Sequence, residues 1–288
     1  MRMPKRLTPL IECGVIDRVV RPLLSGKEAR VYLVESDGEL RAAKVYKNMQ
    51  KRSFRNRSSY TEARKVRNSR DNRAMKKRST YGRERDEESW NNAESDTIYK
   101  LYHAGVRVPT PHIFLDGVLV MECVEAPEGG VAQRIADCEF SPEEAAQVFD
   151  QILHQVVLML CADVVHADLS VYNILLDADG PVIIDFPQSI GASSNPHARE
   201  IFLRDVANVT RHFILGRPIE KLRFGHEIWD LYERGELLPG VKLTGEFELP
   251  EHEVDVDLLI DELYQIEEDA ALDEEEYGEG SFDDFLHG

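Results

Sequence analysis

Between Val164 and Asp185 the chain sets three oxygen-bearing side chains around one tight hairpin, an arrangement few folds accommodate. Ile174-Leu175-Leu176 and Val182-Ile183-Ile184 are apolar, β-prone stretches separated by Asp177-Ala178-Asp179-Gly180, which spells strand, turn, strand. Folding about that turn predicts Asn173 opposite Asp185 on strands about 4.8 Å apart. An amide oxygen and a carboxylate then meet at the hairpin's open end, with Asp168 just outside it. Hard oxygen donors of this kind suit Mg²⁺ when phosphate fills its other positions. Taken singly, each of these residues reads equally well as a turn or cap residue. Their joint placement is the informative part.

The rest of the chain supplies both strands and helices. Val31 to Val34 and Leu40 to Tyr46 flank Ser36-Asp37-Gly38, a second strand-turn-strand signal, and Gly117 to Val124 reads as a further strand. Ala93 to Tyr102 reads as a helix stopped by Gly105, Pro109 and Pro111. The strongest helix opens at Ser141, where Ser-Pro-Glu-Glu supplies an N-cap, a proline at the first helical position and Glu144 for a capping box. Val148, Phe149, Ile152, Leu153, Val156, Val157 and Leu160 follow as one stripe of helical period. Strands first and helices later predict an α+β chain of two lobes.

Charge is unevenly spread along the 288 residues. The net charge is -18, yet Leu243 to Gly288 holds 18 acids and no Lys or Arg, so this tail accounts for the whole excess. From Lys47 to Arg85 the chain instead carries 15 Lys or Arg against 3 acids, a surplus of 12. Few large apolar residues accompany that surplus, so it reads as a mobile insert. Such a patch attracts phosphate backbones without sequence preference, and it reads equally well as a solvated loop facing the acidic tail. In the tail, Leu258, Leu259, Leu263, Tyr264 and Ile266 suggest one helix. Cys13, Cys123, Cys138 and Cys161 are too widely spaced for a metal knuckle and too few for a secreted disulfide framework, which predicts a reducing, cytoplasmic setting. The longest apolar run, near Val156 to Val165, is cut by Asp163 and falls short of the roughly 20 residues that span a bilayer. No membrane association is expected.

The Asp168 to Asp185 arrangement resembles the protein-kinase catalytic loop, HRDxxxxN followed by a metal-binding aspartate. The five-residue step from Asp168 to Asn173 matches that pattern. In it Asp168 is the base, and Asn173 and Asp185 are the metal ligands. Lys44 follows Ala42 by two on a predicted strand, so both share a face, as in the kinase pattern V-A-I-K, where the alanine lines the adenine slot and the lysine holds phosphates. A buried lysine needs a carboxylate. Glu94, inside the predicted helix, is favoured for that partner over Glu88 and Asp96.

More closely, the chain resembles the RIO family of atypical protein kinases. Ser25-Gly26-Lys27-Glu28-Ala29 matches that family's STGKEA loop, and His166-Ala167-Asp168-Leu169-Ser170 with Asn173, and Ile183-Ile184-Asp185 with Gln188-Ser189, match its catalytic segments. Pro196-His197-Ala198 leading to Asp205-Val206-Ala207-Asn208-Val209 extends the likeness, which runs roughly from Leu23 to Phe213. Two positions depart: the loop lacks the threonine, and Phe186-Pro187 follows Asp185. With about two dozen residues ahead of the loop, the chain is similar to the subgroup without an N-terminal winged helix.

The resemblance implies a small two-lobed kinase fold, with an antiparallel-sheet N-lobe and a mainly helical C-lobe that lacks the activation loop and the peptide-binding subdomains. The divisions expected are an N-terminal segment 1–22, an N-lobe 23–124 carrying the basic insert 47–88, a C-lobe 125–242 and the acidic tail 243–288. It implies ATP with Mg²⁺ or Mn²⁺, phosphorylation of serine including the chain's own, and transient phosphorylation of Asp185. The nucleotide would meet Ser25, Gly26, Lys27, Glu28, Ala29, Val31, Ala42, Lys44 and Glu94, with Met121 as gatekeeper and Glu122 to Val124 as the hinge. Serines in the insert would be autophosphorylation sites, and RNA or a ribosomal particle a partner. Two other readings compete: a small-molecule phosphotransferase of the aminoglycoside or choline kinase type, and an ATP-controlled RNA-particle binding factor.

Overall fold

The computed structural model describes residues 4–26, 29–47, 93–213 and 222–249. Apart from Lys47, the basic insert lies outside them, as do Lys27, Glu28 and the tail from residue 250 on, where a helix is expected.

A short helix, α1 (Thr8–Glu12), precedes three strands, β1 (Arg18–Ser25), β2 (Ala29–Ser36) and β3 (Glu39–Tyr46). A helix over residues 93–103, α2, is followed by β4 (Pro111–Leu115) and β5 (Val118–Glu122). The five strands form one antiparallel sheet in the order β1-β2-β3-β5-β4. β1 starts at Arg18, inside the segment read from sequence as preceding this lobe.

Two of the hairpins turn on Asp-Gly pairs in the left-handed region, Asp37-Gly38 and Asp116-Gly117, the backbone twist that two-residue hairpin loops demand. The register then sorts the side chains onto two faces. Tyr32, Val34, Ala43, Val45, Val118 and Val120 pack on one face against Leu7, Leu10 and Ile16 of the N-terminal segment. The other face carries Val31 opposite Lys44, Leu33 opposite Ala42, and Leu119 and Met121 across from Lys44 and Ala42. Alternation therefore sends Ala42 and Lys44 to one side of the sheet, toward the second lobe.

That lobe is built on α3 (Pro142–Cys161). Ser141 and Glu144 form the predicted capping box, and all seven residues of the predicted stripe are buried. Each such side chain contributes about 1.5–3 kcal/mol on leaving water. A three-stranded sheet of β6 (Gln133–Arg134), β7 (Ile174–Asp177) and β8 (Gly180–Ile183) lies beside it, followed by α4 (Ala198–Phe213) and α5 (Phe224–Glu233). Trp229 packs on Phe202 and Tyr232, as a packing residue should. α2 joins this core through Ile98 and Leu101, which fixes its position against the cleft.

Candidate functional site

Lys44 is the centre of the site. Its Nζ donates to Glu94 Oε1 at 2.5 Å and to Asp185 Oδ1 at 2.6 Å, joining β3, α2 and the end of the hairpin. Lys44 is 7% exposed and Glu94 1%, so this is a buried ion pair rather than a surface one. Burial alone would lower the lysine's pKa, but Glu94 and Asp185 override it and hold the ammonium charged. Asp185 likewise meets a burial penalty that Lys44 outweighs, leaving its carboxyl below the ordinary carboxylate range. Glu94, the partner favoured from sequence, meets the lysine, while Glu88 lies outside the described residues.

The hairpin differs by one residue from its predicted register. Ile174 faces Ile183, and Ile184 N donates to Asn173 O at 3.0 Å, so Asn173 stands opposite Ile184 and not Asp185. The loop is closed by only two residues, with Asp177 paired to Gly180, and Asp177 Oδ1 accepts from the N–H groups of Asp179 and Gly180. Asp185 reaches the site by another route: its backbone takes φ 71°, a left-handed value uncommon for aspartate, which departs from strand geometry just past β8.

The catalytic-loop segment is held from behind. Ala167, also left-handed at φ 68°, donates its N–H to Asp205 Oδ2 at 2.6 Å, and Leu169 N donates to Asp205 Oδ1 at 3.3 Å. Arg204 Nη2 completes the clamp on Ala167 O at 2.8 Å. Burial pushes the Asp205 carboxyl up to about 7, against the pull of Arg204 and these two amides. Sequence reasoning quoted Asp205 as part of a pattern but gave it no task.

His166 is buried, with Nε2 3.0 Å from Ile184 O, while Asp168 N lies 3.3 Å from its Nδ1. One neutral tautomer, protonated at Nε2, satisfies both contacts. Burial lowers its pKa to about 4, which agrees with an orienting residue rather than a base. Phe186 is fully buried and stacks against that ring with centroids 4.8 Å apart, so the departure from the family pattern at this position is absorbed by packing.

Asp168 is exposed at the mouth of the site, its carboxyl raised by partial burial and by the charge of Asp185. Asn173 Nδ2 donates to Asp168 O at 2.8 Å, which turns the amide oxygen outward. Asn173 and Asp185 are the two side chains here that could hold a divalent cation. They offer one amide oxygen and one carboxylate, hard donors of the kind Mg²⁺ takes when phosphate fills its other positions, and among the described residues no group of three or more His, Cys, Asp or Glu could hold a metal ion.

The other predicted contacts are distributed along the cleft. Gly26 N donates to Ala29 O at 3.0 Å, closing a tight loop after Ser25, and Lys47 Nζ donates to Gly26 O. Val31, Ala42 and Met121 share the Lys44 side of the sheet. At Glu122 the backbone N–H is spent on Thr110 O and the carboxylate on Thr110 N and Oγ1. Val124 O accepts from Ala132 N, while Val124 N makes no backbone hydrogen bond among the described residues.

A RIO domain family profile matches residues 30–220 of this sequence, about two thirds of it. The chain belongs to the RIO domain family. Among curated relatives, the serine/threonine-protein kinase rio1 of Dictyostelium discoideum is 30% identical over 209 residues, covering 72% of this chain and 35% of that protein. The RIO-type serine/threonine-protein kinase Rio1 of Haloferax volcanii is 30% identical over 209 residues, covering 71% of this chain and 66% of the relative. This RIO domain chain therefore spans about a third of the first relative's length and less than two thirds of the second's. Among solved structures, the Rio2 kinase-ADP/Mg2+-phosphoaspartate complex of Chaetomium thermophilum superposes with a TM-score of 0.53 at 21% identity, covering 74% of this chain and 62% of that one. The fold is the two-lobed, kinase-like α+β fold expected. The family match does not favour the small-molecule phosphotransferase reading. No helix among the described residues is long and apolar enough to cross a membrane.

Proposed function

We infer that the chain is an ATP- and Mg²⁺-dependent serine protein kinase of RIO type, able to phosphorylate its own serines or to pass the phosphoryl group transiently through Asp185. The observation that carries this reading is the Lys44 bridge between Glu94 and Asp185, beside Asp168 and Asn173. Lys44 holds the nucleotide's phosphates, and Glu94 fixes the lysine's direction. Val124 N–H, which makes no backbone hydrogen bond among the described residues, is the donor for the adenine edge. Met121 closes the back of the slot, while Ser25, Gly26 and Ala29 meet the phosphates. Asn173 and Asp185 hold Mg²⁺ or Mn²⁺, which offsets charge on the transferred group when bound. Asp168 takes the proton of the acceptor hydroxyl. The curated relatives' kinase names support the same activity.

Incubation of purified protein with γ-labelled ATP tests the reading. Acid-stable phosphoserine is expected if serine is the end point, and an acid- and hydroxylamine-labile acyl phosphate if Asp185 carries the group. Absence of both labels, with no phosphate released, would refute it. The surplus of 12 positive charges between Lys47 and Arg85 supports a structured RNA or ribosomal particle as partner, and the working setting is the reducing cytoplasm.

A further inference from the structure

One cation near the site has no assigned task. Arg134 ends β6, where it pairs with Leu175 of β7, two residues past Asn173. Directly opposed residues of an antiparallel pair project to the same face. That face is the one on which Leu175 packs against Val124, Ala132 and Val182, below the segment that follows β5. Ala132, two residues before Arg134, lies in the same cluster, so alternation again sends Arg134 to the cleft side while Ile135 enters the main core. Its guanidinium is half-buried and meets no hydrogen-bond or ion-pair partner among the described residues.

The local charge balance explains why a free guanidinium would be useful there. Lys44 is already engaged by two carboxylates, Glu94 and Asp185, and Asp168 adds a third acid nearby. Among the described residues the site is thus net negative, although a nucleotide brings several more negative charges. One divalent ion does not balance them all. A guanidinium on the β6 side of the cleft meets that deficit and matches the geometry of phosphate oxygens.

We propose that Arg134 is a nucleotide-binding residue that contacts the anionic polyphosphate from the β6 side of the cleft. This rests on the nucleotide-binding reading above, and it adds a contact that the kinase-loop pattern did not include.

The test is calorimetric titration of the full chain with adenosine, ADP and ATP in the presence of Mg²⁺, for wild type, R134Q and R134K. Wild-type protein that binds none of the three would overturn the nucleotide reading itself. If wild type binds, R134Q is expected to lose roughly tenfold or more in ATP affinity, with ADP reduced and adenosine unchanged, as loss of a charge-assisted contact requires. R134K should recover part of the loss. Equal weakening of adenosine and ATP would mark Arg134 as a structural support only, and unchanged ATP affinity in R134Q would remove it from the site. Either result overturns the proposal while leaving the broader function standing. Thermal unfolding of the unliganded variants separates the cases, because the proposed role leaves that midpoint unmoved.

Discussion

The carboxylate of Asp205 and the backbone N–H of Ala167 meet at 2.6 Å, although 38 residues separate them, and this contact fixes the segment on which Asp168 sits. Replacing Asp205 by Ala leaves two buried amides, those of Ala167 and Leu169, without their acceptor. The expected cost is about 3 kcal/mol of stability, read from the denaturant midpoint. Phosphoryl transfer by the folded fraction should fall on the order of tenfold or more, since misplacing a base by a fraction of an ångström is enough. Nucleotide affinity should hold. A variant with full transfer rate would show that the clamp does not position Asp168.

Asp168→Asn keeps the shape of the loop and removes the proton acceptor. Transfer from labelled ATP should fall by about 10²-fold or more, the range for a lost general base, while equilibrium binding of ATP survives. Undiminished transfer would reject Asp168 as the base.

The pH dependence follows from the direction in which Asp168 is shifted. Burial and the neighbouring charge of Asp185 both raise its carboxyl, so it takes up a proton at a higher pH than an ordinary aspartate, near 3.9. The base works only when ionised, so activity is present above the raised value and lost as pH falls through it. The acid limb of kcat/KM, measured at constant ionic strength, should therefore lie above the ordinary carboxylate position. A limb at or below that position would contradict the assignment.

Lys44 and Glu94 depend on each other. Lys44→Met strands a carboxylate that is 1% exposed, with Oε2 already lacking a hydrogen-bond partner among the described residues, and should cost about 3–5 kcal/mol. Adding Glu94→Leu removes the stranded charge and should restore much of that stability while leaving the protein inactive. A double variant as unstable as the single one would show that packing, not charge, dominates here. Chemical denaturation of the two proteins decides.

Binding through the basic segment is testable without structure. Affinity for structured RNA should fall steeply between about 50 and 200 mM salt, and replacing Lys76, Lys77 and Arg78 by Gln should flatten that slope. A salt-independent affinity would dismiss the electrostatic partner.

Much of this site could be read from residue order because its parts are local. The Ser141 cap and the stripe behind it define α3 without reference to anything distant, and the Asp37-Gly38 turn fixes the hairpin that carries Lys44. Glu94 could be chosen as the lysine's partner because it falls inside a helical segment. β1 escaped notice for a physical reason: it is an edge strand, mostly exposed, interrupted by Pro22 and by two register shifts, so it lacks clean alternation. The one-residue error at Asn173 arose because the turn closes at Asp177 and Gly180, and no sequence pattern announces the left-handed backbone at Asp185. Asp205 acts across the fold, on backbone amides 38 and 36 residues away in the chain, where spacing carries no signal.

The family profile match begins at residue 30, but the sheet begins earlier, at Arg18. Leu7, Leu10 and Ile16 roof the far side of the strands that carry Lys44, and β1 guards the edge of β2. Anyone trimming this protein to its recognisable portion would uncover Tyr32, Val34, Ala43 and Val45 and bare an unpaired strand, inviting self-association. Loss of activity in such a fragment would then report a broken scaffold and say nothing about the chemistry in the cleft.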